Sequence, residues 1–82
     1  MLKILGSLSF FLMQIKVKFF ASLSEIVDCR ETNLSLEGEH TVNSVWKIIA
    51  GDEKIPEGTL CAINRMHCEF DRVIEDRDEV AY

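Results

Sequence analysis

Basic residues are in the minority. Nine Lys and Arg stand against fourteen Asp and Glu, for a net charge of −5. That balance argues against a nucleic-acid partner, because phosphate binding needs a basic face. It suits solubility and a basic partner surface. Glycine is scarce: the four glycines stand alone, so no phosphate-cradling loop is present. Histidine occurs twice, at His40 and His67, with no Cys or His at ligand spacing, so no metal site is expected. The three cysteines, Cys29, Cys61 and Cys68, are an odd count without metal-ligand spacing, which argues against a disulfide framework. No nucleophile has a base beside it in a recognisable motif. The apolar run Ile4 to Met13 is too short to span a membrane.

What remains fits one small domain. The chain has 82 residues, and 48% of them are hydrophobic, too many for a disordered chain. Met1 to Leu12 are expected to lie outside the domain as an N-terminal extension. They open like a signal peptide, with Lys3 before an apolar stretch, but no Ala-x-Ala site follows and a charged strand begins at once. The domain is therefore expected over 13–82, and a cytoplasmic location with no membrane partner is expected for it.

Gln14 to Phe20 alternates Ile15, Val17 and Phe19 with Lys16 and Lys18, the period of a strand with one buried face. Its clean alternation predicts a place near the middle of a sheet. Ser22 and Glu25 have capping-box spacing and predict a short helix, with Leu23, Ile26 and Val27 facing inward. Thr32, Leu34 and Leu36 predict a second strand, ended by Gly38. Thr41 is the expected N-cap of the main helix. Val42, Val45, Trp46 and Ile49 form one apolar stripe along that helix, Trp46 being its core anchor, and Gly51 stops it. Leu60 to Asn64 predict a third strand containing Cys61, read as a small buried hydrophobe. Arg65 to His67 read as a turn, with Cys68 in the same turn-like region. Asp76, Asp78 and Glu79 read as a solvated acidic cluster, and Glu79 to Tyr82 as the last strand. Composition and spacing alone say small α/β (α+β) domain.

Three stretches add more. Met13-Gln14-Ile15-Lys16-Val17-Lys18-Phe19-Phe20-Ala21 resembles the opening of the small subunit of molybdopterin synthase, a family of sulfur carriers. Ala62-Ile63-Asn64 resembles its third strand. Asp78-Glu79-Val80-Ala81-Tyr82 resembles the run just before its tail. The resemblance covers Met13 to Tyr82 with matching order and spacing. It implies a ubiquitin-like β-grasp fold, a mixed sheet with one main helix across one face and the first and last strands side by side. It also implies a non-catalytic carrier subunit with no cofactor of its own. In the family a C-terminal Gly-Gly is activated by an ATP-dependent adenylating enzyme and becomes a thiocarboxylate. Its sulfur goes to a pterin precursor in the large synthase subunit.

The sequence stops at Tyr82, so on this reading the domain is truncated before the diglycine tail. The resemblance places Phe20, His67 and Tyr82 at the partner surface. Phe20 continues the strand on the face opposite Phe19, and His67 stands where the family tends to be apolar. Arg77 stands where the family has glycine, in a turn whose positive φ would cost about 1 kcal/mol. The alternatives are the related carrier of thiamine biosynthesis and a β-grasp interaction module without sulfur chemistry.

Overall fold

The computed structural model describes residues 12–82; the extension expected over 1–12 lies outside the described residues except for Leu12. Leu12 opens the first strand, β1 (Leu12–Lys18), and pairs with Glu37. The alternation along β1 buries Met13, Ile15 and Val17 and exposes Leu12, Gln14 and Lys16 between them. The next elements are α1 (Ser22–Ile26), β2 (Glu31–Glu37) and α2 (Val42–Ala50). After them come β3 (Cys61–Ile63), β4 (Met66–Cys68) and β5 (Glu79–Ala81). The five strands lie in the order β2-β1-β5-β3-β4. β1 runs antiparallel to β2 and parallel to β5, and β3 runs antiparallel to both β4 and β5. The sheet is mixed, the first and last strands are neighbours inside it, and α2 packs on one face. This is the β-grasp architecture.

α2 begins and ends where its sequence signals stand. Thr41 caps it, accepting from the Ser44 backbone at 3.1 Å, while the Ser44 hydroxyl accepts from the Thr41 N–H at 2.9 Å. Gly51 closes it at φ 65, a conformation that favours glycine. Val42, Val45 and Trp46 are buried against β1, β3 and β5 residues. The Trp46 ring meets Phe19 edge-on at 6.1 Å and Tyr82 at 5.4 Å, and its indole N–H donates to the Glu53 carbonyl at 2.8 Å.

The capping box at Ser22 does not form: Ala21 is the N-cap of α1, and its side chain has no oxygen to offer. Ser24 instead donates its hydroxyl to the Ala21 carbonyl. Leu23 faces inward and Val27 is half-buried against the core, but Ile26 is exposed, because so short a helix presents only one turn to the core. The segment read as a turn around Arg65 to His67 contains β4. Asn64 and Arg65, at φ 53 and 72, turn the chain in two residues, as a type I′ hairpin requires. His67 and Cys68 are therefore strand residues, and Cys68 is half-buried.

The acidic cluster is also more than a solvated turn. Asp78 is buried and accepts from the Asn64 side chain at 2.9 Å and the Glu75 N–H at 2.8 Å. Asn64 returns an acceptor to the Glu79 N–H at 2.9 Å. This network ties the β3–β4 turn to the start of β5. Beside it Arg77 has φ 71 and is highly exposed. Arg77→Gly relieves the left-handed strain at the cost of a more flexible unfolded chain. We expect a net gain of about 0.5 kcal/mol, read as a higher urea midpoint at unchanged slope; a loss would show that the Arg77 side chain supports the turn.

Tyr82 supplies a pH signature. Its hydroxyl donates to the Val42 carbonyl inside the core, and burial pushes its ionisation well above the ordinary tyrosine range. The raised value means that this stability is fully present below about pH 10 and is lost as pH rises toward the folded-state value. Cys61, pushed up to about 12 chiefly by burial, acts in the same direction. Tyr82→Phe is expected to cost about 1 kcal/mol at pH 8, from the lost hydrogen bond. It should also flatten the fall in unfolding free energy between pH 9 and 11, measured by urea titration.

Candidate functional site

Two phenylalanines that part ways follow the end of β1. Phe19 is buried under Trp46, with its ring stacked on Tyr82 at 5.5 Å. Phe20 is 58% exposed. Ala21, at φ 53 and ψ −134, then turns the chain sharply into α1. That is backbone few side-chain-bearing residues adopt, and it costs on the order of 1–3 kcal/mol. The Phe20 N–H donates to the Tyr82 carbonyl and the Tyr82 N–H to the Lys18 carbonyl, both at 3.0 Å. The β1–β5 ladder thus reaches to the last residue and delivers it beside Phe20.

A groove of about 540 Å³ opens at this end of the sheet. Phe20 to Leu23 form one wall and Pro56 to Leu60 the other, with Leu60 68% exposed. Thr59 holds the second wall in shape, its N–H and hydroxyl both donating to the Pro56 carbonyl. Ala62, Ala81 and His67 line the remainder. The register explains why these three meet: Lys18 pairs with Ala81, Ala81 with Ala62, and Ala62 with His67. They form one row across the sheet face opposite α2. Two alanines at its centre leave that surface low and apolar, between the taller Phe20 and Leu60.

The margin is polar. Lys18 and Glu79 form an ion pair at 2.8 Å, and Lys16 and Glu31 lie 3.7 Å apart. The hydrogen bond and charge of Lys18 hold the Glu79 carboxyl below the usual range, and Glu79 raises Lys18. The floor of the groove is thus apolar, with these ion pairs beside it on the sheet.

All three residues expected at the partner surface line this groove. Phe20 and His67 offer exposed side chains. Tyr82 also lines it, but the residue is only 5% exposed and its ring belongs to the core. Leu60, Ala62 and Ala81 line the groove as well. Small or singly placed apolar residues carry no sequence signal until strand pairing gathers them. Among the described residues no group of three or more His, Cys, Asp or Glu is placed to hold a metal. The one cysteine in the groove, Cys61, is held as a neutral thiol by burial. Among the described residues no helix is long and apolar enough to cross a membrane.

No protein-family model matches the chain, and no curated protein matches it. Solved structures do. Small archaeal modifier protein 1 of Haloferax volcanii superposes with a TM-score of 0.70 at 18% identity, over 84% of this chain and 93% of that one. A putative molybdopterin converting factor, subunit 1, from Pyrococcus furiosus gives 0.67 at 22% identity, over 84% and 93%. Small archaeal modifier protein 1 of Methanosarcina acetivorans gives 0.56 at 25% identity, over 87% and 91%. The shared property at these identities is the ubiquitin-like β-grasp fold.

Proposed function

We propose that this chain is a non-catalytic β-grasp protein of the carrier and modifier kind, which docks on partner proteins through the Phe20–His67 groove. The position of β5 sets this geometry. It lies inside the sheet and brings Tyr82 out between Phe20 and the 56–60 wall, so a tail joined there leaves from the docking surface itself. A partner that grips the groove has the tail in reach. The likeness to modifier proteins and to a molybdopterin converting factor subunit supports this reading.

The chemistry of such a tail is that of its terminal carboxylate. An ATP-dependent activating enzyme converts it to an acyl adenylate, releasing pyrophosphate; a sulfur nucleophile then displaces AMP. Glycines suit the tail because, without side chains, they thread a narrow channel. The sulfur-carrier form of this proposal, with the large subunit of molybdopterin synthase as partner and a thiocarboxylate as donor, is favoured by the Asp78-Glu79-Val80-Ala81-Tyr82 run and by the Pyrococcus furiosus likeness. The modifier form rests on the archaeal modifier structures.

The test extends Tyr82 with a tail ending in Gly-Gly and incubates the folded protein with an activating enzyme, ATP and a sulfur source. Intact mass spectrometry is expected to show the gain of one oxygen-to-sulfur exchange. If the extended chain stays unmodified while an established carrier in the same reaction is converted, the carrier form is wrong. Binding of the unextended chain to the activating enzyme, lost with Phe20→Ala, would then leave the docking module standing.

A further inference from the structure

The β3–β4 hairpin sets two thiols face to face. Cys61 and Cys68 are register partners, and their sulfurs lie 3.7 Å apart. The Cys61 thiol also donates to the Cys68 carbonyl at 3.1 Å. Residues directly opposite in an antiparallel pair have Cα atoms about 4.5–5.5 Å apart. That separation falls within the roughly 4.4–6.8 Å that a disulfide spans. Closure needs the sulfurs to approach to about 2.05 Å. Among the described residues β4 is an edge strand, paired with β3 alone, so it can supply that movement. Cys29 lies just before β2, at the opposite edge of the sheet, with its thiol donating to the Glu31 carbonyl.

We propose that Cys61 and Cys68 form a reversible dithiol–disulfide site, oxidised by small-molecule disulfides of the glutathione class. Cys68, the half-buried partner, is the entry thiol. Its thiolate attacks one sulfur of the external disulfide, forming a mixed disulfide and releasing one small thiolate. Cys61 then gives up its proton to solvent and attacks the Cys68 sulfur, displacing the second. Two protein thiols are oxidised and one external disulfide is reduced to two thiols, so electrons and protons balance. Burial pushes the Cys61 thiol up to about 12, with the Cys68 hydrogen bond adding to it, so the closing step is the slow one. The cross-link ties β4 to β3 beside the groove. It also immobilises His67, which stands between the two strands' turn and Cys68.

The experiment treats the full chain with oxidised glutathione, quenches with acid, and maps the peptides by mass spectrometry. A Cys61–Cys68 linkage with the loss of two hydrogens is expected, while Cys29 carries a glutathione or alkylation label. Cys61→Ala should stop at a glutathione adduct on Cys68, and Cys68→Ala should leave Cys61 unmodified. Closure in the unsubstituted protein should quicken by about tenfold per pH unit between 7 and 9, following the Cys61 thiolate fraction. The thermal midpoint of the oxidised protein should rise by about 5 °C and return on reduction with dithiothreitol. A folded protein that holds glutathione on Cys68 with Cys61 still free overturns the proposal. So does a linkage that forms only in urea.

Discussion

Trp46→Ala is expected to cost about 3–5 kcal/mol, the range for truncating a large buried aromatic. Trp46 is 2% exposed and closes the aromatic group with Phe19 and Tyr82. Its loss removes the aromatic contacts between α2 and the residues that follow β1 and β5, and leaves the Glu53 carbonyl without its indole donor. A domain of this size has roughly 4–10 kcal/mol in hand. A large share of the variant should therefore be unfolded without denaturant. Circular dichroism against urea decides the matter: a curve overlaying the parent would mean that α2 does not hold the sheet through this ring.

Phe20→Ala should do the opposite. The ring is mostly in solvent, so the urea midpoint should stay within about 0.5 kcal/mol of the parent. Docking should suffer instead. An aromatic anchor at the centre of an interface is worth about 2 kcal/mol or more, a loss of roughly 30-fold in affinity. The binding partners for the measurement are the two that the proposed function names, an activating enzyme and the large synthase subunit. Titration calorimetry of parent and variant against each gives the ratio. Unchanged affinity for both would remove Phe20 from the docking surface and, with it, the role assigned to the groove. Phe20 and Trp46 together separate the two faces of the protein: one ring holds the fold and the other is held out from it.

Where one residue type repeats at a fixed period, local sequence and final structure agree. β1 shows its buried face in Ile15 and Val17, continued just past its end by Phe19, and α2 shows its stripe, cap and stop within eleven consecutive residues, Thr41 to Gly51. Phe20 was legible for the same reason, since the residue after an inward Phe19 faces the other way. β4 was not legible. Its three residues carry no alternation, and the turn before it has Arg65 where a glycine would have announced a hairpin. Nor was Asp78, whose burial rests on Asn64, a residue fourteen positions away.

Periodicity and capping are local: they depend on neighbours within a turn or a strand, so the inward faces of β1 and α2 and the parting of Phe19 from Phe20 follow from short stretches of sequence. Strand pairing is not local. The assembled sheet is what puts Ala62, Ala81 and His67 in one row, sets Cys61 against Cys68, and turns the Tyr82 ring into the core. Each of these depends on which strand becomes whose neighbour. That choice is made by the apolar face the whole sheet buries under α2, a property of no single segment.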